Sequence, residues 1–412
     1  MLRSIGPGLI TGASDNDPSG IGTYSVVGAS FGFSMLWLSW FTLPLVAAVQ
    51  NICARIGQAS GKGLTTVVKQ HYPRWIVYAF CALLLVANTI TIGADLGAMA
   101  AGVNLLTGIS ARIVLAPIAV LVVVALVLGR YRAIENVLRW LVLFLLAYVI
   151  AAFLTHPSWP QVALATFTPQ IKLDPKFIST LVAVLGTTIT PYMWIWQTSQ
   201  EVEEEVEHGE ENVRQRRGTT DRLVRRRELD VNLGCVISNV VMFFIMLVAG
   251  AELFAHGKHD INSAADAAQA LAPLAGGAAK YLFGIGFIGM GLLAIPVLAG
   301  SSAYSLCETF DWPVGLGRPL HRVPQFYLVI ALATLVGMLL NFTSINPIDA
   351  LVLASAVNGL IAPFILAIIM LAANHPAIMA GHPNGRLSNV LGWLTTAVMG
   401  VAAIALLATW GH

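Results

Sequence analysis

Residues Ser14 to Tyr24 read SDNDPSGIGTY. Two aspartates and an asparagine stand beside Pro18, Gly20 and Gly22, inside an otherwise apolar segment that begins near Ile5 and resumes through Phe33 into Leu36. Proline removes a backbone donor and glycine tolerates unwound geometry, so this stretch breaks a helix and frees carbonyls near Asp17. Irregular backbone at membrane depth survives only where it lines a cavity or is buried in protein. A carboxylate there is costly unless it faces a partner or a water-filled space. Within a membrane, therefore, Asp17 is a candidate functional residue.

The composition places it in one. With 412 residues, 57% hydrophobic, 11% charged and a mean hydropathy of +0.76, the chain does not suit a soluble globular domain. Apolar runs of about 20 residues, long enough to cross roughly 30 Å of hydrocarbon as helices, recur throughout. Eleven are expected, at 5–33 with its break, 35–56, 75–105, 111–129, 136–155, 178–200, 231–255, 280–308, 323–341, 348–373 and 388–410. The first has Arg3 before it but no small-residue cleavage site, and is expected to be retained rather than removed as a signal peptide.

Counting alternate loops puts 18 of the 23 basic residues on one side and 5 on the other, which predicts a cytoplasmic N-terminus and, with an odd helix count, an external C-terminus. Cys53, Cys81, Cys235 and Cys307 lie singly in predicted helices, without zinc-site or disulfide spacing, and read as packing residues. The charged segment 201–230 reads as a solvated cytoplasmic helix and loop, with arginines placed to touch anionic headgroups. No nucleophile, base and orienting group come together in the pattern, so an enzyme is not expected. Nothing points to a nucleic acid or an obligate protein partner; the lipid bilayer and a small substrate are the expected partners.

The sixth span repeats the device of the first. In LVAVLGTTITPYMWIWQ, Gly186 and Pro191 bracket Thr187, Thr188 and Thr190 near the middle of an apolar run. Each of these interruptions alone suits an ordinary proline kink. As a pair five spans apart, one with a carboxylate, they point to an inverted-repeat transporter with a midplane site. The expected architecture is an all-α membrane bundle, with a first repeat over about 5–155, a second over about 178–373 and an extra helix over about 388–410.

At these residues the chain resembles the Nramp divalent-metal transporters. GPGLITGASDNDPSG is similar to that family's first-helix segment, ITPYMW to its sixth-helix motif, and AGSSAYSLCETF, with Glu308, to its eighth helix. The resemblance implies a LeuT-like fold of two inverted five-helix repeats plus an eleventh helix, with helices one and six broken. It places Asp17 on the metal-binding aspartate. It also exposes departures: Gly20 stands where the family has its binding asparagine, Thr190 where it has its methionine, and Ser355 where it has a tenth-helix glutamine, with Asn358 one turn on.

Replacing a thioether by a hydroxyl turns a soft site into an oxygen site, which suits hard cations. Asp15, Asn16, Asp17, the carbonyls near Thr187 and the Thr190 hydroxyl are the remaining donors. The pattern is similar to the Nramp-related magnesium transporters and implies Mg²⁺ as cargo, with Mn²⁺ as a second substrate and no resident cofactor. The ordinary alternative for Thr190 is a bond to a carbonyl of its own helix. Of the family's proton-relay positions, Asp95 is kept, while Ala98, Tyr192 and Gln197 replace titrating groups, so uptake without proton coupling is expected. Asp95 is then free to pair with a neighbour such as Thr91. The alternatives are a proton-coupled Mn²⁺ or Fe²⁺ carrier, or a carrier of a small organic substrate. The expected location is a bacterial inner membrane.

Overall fold

The computed structural model describes residues 11–409 except 13, 129–145, 208, 210, 211, 217–219, 344, 380 and 382. All regular structure among these residues is helical. The principal helices are α1 (Pro18–Phe31), α2 (Trp37–Ser60), α3 (Leu64–His71), α4 (Arg74–Thr107), α5 (Ala111–Val127), α6 (Trp159–Phe167), α7 (Pro175–Thr188), α8 (Pro191–Glu207), α9 (Asp221–Ala249), α10 (Ala279–Thr309), α11 (Pro324–Leu340), α12 (Pro347–Ala373) and α13 (Arg386–Thr409).

Among the described residues, seven stretches are long and apolar enough to cross a membrane. The shorter α5 and α11 are apolar as well; at 17 residues each they extend roughly 25 Å. The first expected span is divided by its break, and the fifth is described only from residue 146, where helix runs to 154. The rest of that fifth span lies outside the described residues.

Local chemistry sets where helices begin. Asp17, Asp174 and Asn346 each cap a helix whose first residue is proline, accepting from Gly20, Phe177 and Ile348 amides respectively. Proline at that position loses nothing, because its missing N–H would have had no helical partner. Gly61 and Gly108, at φ of 63° and 75°, end α2 and α4 in a conformation that a side chain would strain.

Burial then sorts the helices by depth. In the continuous span over α7 and α8, 83% of the apolar window is buried inside the protein, against 33% for α13. The sixth span is therefore central and α13 peripheral, its exposed Val401, Ile404 and Leu407 forming a face that a bilayer covers. Around the centre, α10 packs along α4, α12 against α7, and α9 against both α1 and α2.

Small residues set how closely these helices approach, as they do where lipid removes the usual hydrophobic driving force between helices. A Cβ added at Gly186 would stand 2.1 Å from the Ser355 carbonyl oxygen and 2.4 Å from the Gly359 nitrogen. Gly186→Ala should therefore force α7 away from α12, at about 1–3 kcal/mol for overpacking. Gly400→Ala, which points into open space on α13, should be neutral or stabilising by up to about 1 kcal/mol. Thermal unfolding in lipid nanodiscs checks this: the Gly186 variant should melt below the parent and the Gly400 variant should not, and equal midpoints would remove the close contact from the account.

Candidate functional site

The first break is held together by one side chain. Thr11, Gly12 and Ser14 are helical, the Asp15 amide still donates to the Thr11 carbonyl at 3.2 Å, and the helix then stops. Asp17 is extended (φ −62°, ψ 170°), and α1 starts at Pro18. The Asp17 Oδ1 atom accepts the Gly20 amide at 2.7 Å and the Ser19 hydroxyl at 2.6 Å. Its charge also sits at the positive end of the half-helix dipole. Asp17 is thus a helix cap before it is anything else.

The second break faces the first. Here α7 ends at Thr188, Ile189 leaves helical geometry at φ −113° and ψ 71°, and α8 restarts at Pro191. Three ties join the breaks. The Thr187 and Ser19 hydroxyls lie 3.3 Å apart, Thr188 and Tyr24 share a hydrogen bond of 2.9 Å, and the Tyr192 hydroxyl reaches both Asp17 Oδ2 and the Ser14 carbonyl at 3.3 Å. The interruptions end and restart helices rather than merely kinking them.

Of the residues singled out from sequence, Asp17, Gly20 and Thr187 therefore meet, through Ser19. Gly20 is packed so that a Cβ there would lie 3.3 Å from the Asp15 carbonyl oxygen and 3.5 Å from Asp17 Oδ1. Any side chain at position 20 would grow in beside these oxygens. Thr190 Oγ1 is buried without a hydrogen-bond partner, so the expected alternative of a bond within its own helix is not realised. Asp15 accepts the Ser238 hydroxyl of α9 at 2.5 Å through Oδ2, while its Oδ1 and both polar atoms of Asn16 are buried and unpartnered.

Ser355 and Asn358 serve other contacts. Ser355 pairs with Thr23 at 3.1 Å, six residues or roughly 9 Å along α1 from Asp17, and Asn358 donates to Thr91 at 3.0 Å. Thr91 itself donates to the Ala87 carbonyl at 3.0 Å. The suggested Asp95–Thr91 pair is accordingly not formed, and both Asp95 oxygens lack a partner of good hydrogen-bond geometry. Asp95 lies instead within electrostatic reach of Asp17 and the Ser19 amide. Gln197 donates to Glu201 at 2.8 Å, away from the breaks.

Nothing local marks Ser19, Tyr24 or Ser238 as site partners, because their contacts join residues far apart in the chain. Tyr192 stood out only as a lost titrating group, yet it is one of the three links between the broken helices. It lies within electrostatic range of Asp15, Asp17 and Asp95 together.

Chemically, this is an oxygen-rich interior short of positive charge. Among the described residues no ion pair involves Asp15, Asp17 or Asp95. Nor do three His, Cys, Asp or Glu side chains converge tightly enough to enclose an ion unaided. The sulfur in contact with this group is Met242 Sδ, which accepts the Thr188 hydroxyl at 3.7 Å. Each unpartnered polar atom costs about 1–3 kcal/mol when nothing binds it, so the arrangement favours water or a cation among these oxygens. Beyond the Thr23–Ser355 pair, a cavity of about 660 Å³ is lined by Val26, Ser30, Thr180, Asp349 and Ala356 among others.

Solved structures share this arrangement of helices. The manganese transporter of Eremococcus coleocola superposes with a TM-score of 0.76 at 19% identity, over 99% of this chain and 87% of that one. MhsT in complex with L-phenylalanine gives 0.60 at 15%, over 98% and 97%. The fold is thus the LeuT-like one, two inverted five-helix repeats with an eleventh helix. The family described as natural resistance-associated macrophage protein-like, Nramp, matches residues 8–409, and the chain belongs to it. Relatives named divalent metal cation transporter MntH are 24% identical in Klebsiella pneumoniae (409 residues, 97% of this chain and 92% of the relative) and 26% identical in Deinococcus radiodurans (408 residues, 97% and 88%).

Proposed function

We propose that the protein moves divalent cations, Mg²⁺ foremost and Mn²⁺ as a second substrate, into the cytoplasm by alternating access, without moving protons. The relatives' names support a divalent metal as cargo. The observation that carries the preference for Mg²⁺ is the donor set at the paired breaks, where Gly20 offers no side chain and Thr190 offers a free hydroxyl. Mg²⁺ sheds water reluctantly and is usually held by one or two carboxylates with several waters retained. Asp17 anchors such an ion, with Asp15, Asn16, Thr187 and Thr190 available to its waters. Ser355 is committed to Thr23, whereas Asn358 uses its amide nitrogen on Thr91 and keeps an unpartnered Oδ1.

Basic-residue asymmetry supports a cytoplasmic N-terminus. A divalent ion then gains about 4.6 kcal/mol per 100 mV, twice the single-charge value, so a negative interior can drive entry alone. One observation favours a second reading, proton-coupled transport of Mn²⁺ or Fe²⁺: Asp95 is a buried carboxylate with no basic side chain paired to it among the described residues.

Asp17→Asn tests the anchor. The amide keeps a cap oxygen for Gly20 and removes a buried charge, so the variant should melt no more than a few degrees below the parent without ions. It should also lose Mg²⁺-induced stabilisation and Mg²⁺ uptake in proteoliposomes. Uptake at the parent's rate would displace the site from Asp17.

Selectivity is tested by Gly20→Asn combined with Thr190→Met, which adds an amide and a thioether beside Asp17. The pair should improve Mn²⁺ and Cd²⁺ binding relative to Mg²⁺ by about tenfold, the equivalent of about 1.4 kcal/mol. An unchanged preference in isothermal titration would end the soft-to-hard argument.

For coupling, a pH dye enclosed in proteoliposomes at fixed membrane potential should report no Mg²⁺-dependent acidification above a protein-free control. Acidification would assign a proton-carrying role to Asp95 or another carboxylate.

A further inference from the structure

A second polar cluster lies at the end of the bundle that carries the arginine-rich segment. Glu201, on α8, is 1% exposed although it belongs to the most charged stretch of the chain. Gln197, one turn earlier on the same helix, donates to it at 2.8 Å. Gln58 of α2 donates to its other oxygen at 3.0 Å, and Arg227 of α9 forms an ion pair with that oxygen at 3.0 Å. Arg227 also pairs with Glu204, and Arg55 of α2 pairs with Glu228 of α9 at 2.5 Å. Three helices that are separate in sequence are thus joined at one level by charge.

The helices are also close there. A Cβ on Gly57 would stand 2.9 Å from the Thr198 carbonyl oxygen and 3.0 Å from the Glu201 Cβ, and the Thr198 hydroxyl donates to the Cys53 carbonyl at 3.2 Å. Glu201 lies eleven residues, roughly 16 Å of helix, beyond the break at Thr190. On the other side of that break lies the 660 Å³ cavity between α1, α7 and α12. An open volume towards one end and a buried polar lock towards the other is the asymmetry that alternating access requires of a single state.

We propose that the Glu201–Arg227 ion pair, seated by Gln58 and Gln197, is a latch that holds α8 against α2 and α9 and must part for the site to open towards that end. A buried ion pair is a poor choice for static stability, since well-packed apolar residues of similar volume usually do as well or better. It suits a contact that opens into water, because both partners are then hydrated and the open state is not heavily penalised. Which cation travels does not enter this inference, so it stands or falls separately from the Mg²⁺ assignment.

Native Cys53, 0% exposed beneath the α2–α8 contact, is the reporter. With Cys81, Cys235 and Cys307 changed to Ala, Cys53 should react slowly with a membrane-impermeant cationic methanethiosulfonate added to the latch face of oriented vesicles. Glu201→Gln and Arg227→Gln should each raise that rate tenfold or more. Gln58→Met, which deletes one hydrogen bond to Glu201 without changing the net charge and so guards against misfolding of the charge variants, should raise it about threefold. Lys176→Ala, at an exposed ion pair with Asp260 near the cavity, should leave it within twofold. Rates within twofold of the parent for the three latch variants, or an equal rise in the Lys176 variant, would overturn the latch.

Discussion

Everything in the centre of this bundle depends on Asp17 capping a helix that begins in mid-membrane. A half-helix starting in hydrocarbon presents amide groups with no preceding carbonyls to meet them, and water is not there to substitute. The Asp17 carboxylate supplies the missing acceptors to Ser19 and Gly20, and Pro18 removes one donor from the problem. The charge that makes this cap strong also draws cations, so one carboxylate serves both the start of the helix and the electrostatics of the interior. Tyr192 then ties Asp17 and the Ser14 carbonyl to the start of α8, so a movement of either broken helix is felt by the other.

Around that cap the donor set is defined as much by what is small as by what is polar. Gly20 leaves room beside the Asp15 carbonyl and the Asp17 carboxylate, and Thr190 leaves an oxygen without a partner. Close glycine packing of α7 on α12 keeps the second half-helix near the first. The proposed preference for a cation that keeps some of its water rests on this combination of room and oxygen, because retained water can span gaps that naked side chains of this length do not.

How much of this was legible in the sequence divides by range. The apolar spans and both breaks follow from run length, proline and glycine, all local signals, and most of the described helices begin within a few residues of the expected places, while α9 starts at Asp221 rather than at 231. Partners across the bundle carry no local signal: Tyr192 with Asp17, Ser238 with Asp15 and Thr23 with Ser355 join positions 175, 223 and 332 residues apart. Thr91 is taken by Asn358 and the Ala87 carbonyl, which spacing along one helix does not reveal, and Asp95 does not pair with it. The charged segment 201–230 is not simply solvated, since α8 runs to Glu207, α9 begins at Asp221 and Glu201 is buried. Composition described that segment well on average and misdescribed Glu201 and Arg227, which turn inward.

The two groups of buried acids also differ in what neutralises them. Glu201 is enclosed by protein, and the chain supplies an arginine and two glutamines to meet it. Asp15, Asp17 and Asp95 are enclosed at least as completely, and the chain gives them hydroxyls and amides but no basic side chain among the described residues. An uncompensated charge in a low-dielectric interior costs more than hydroxyl donors return. A resident arginine would lower that cost permanently and would also repel any cation approaching Asp17. Leaving the acids without one keeps the interior attractive to a mobile positive charge, which is the electrostatic condition that a cation carrier needs at its midplane.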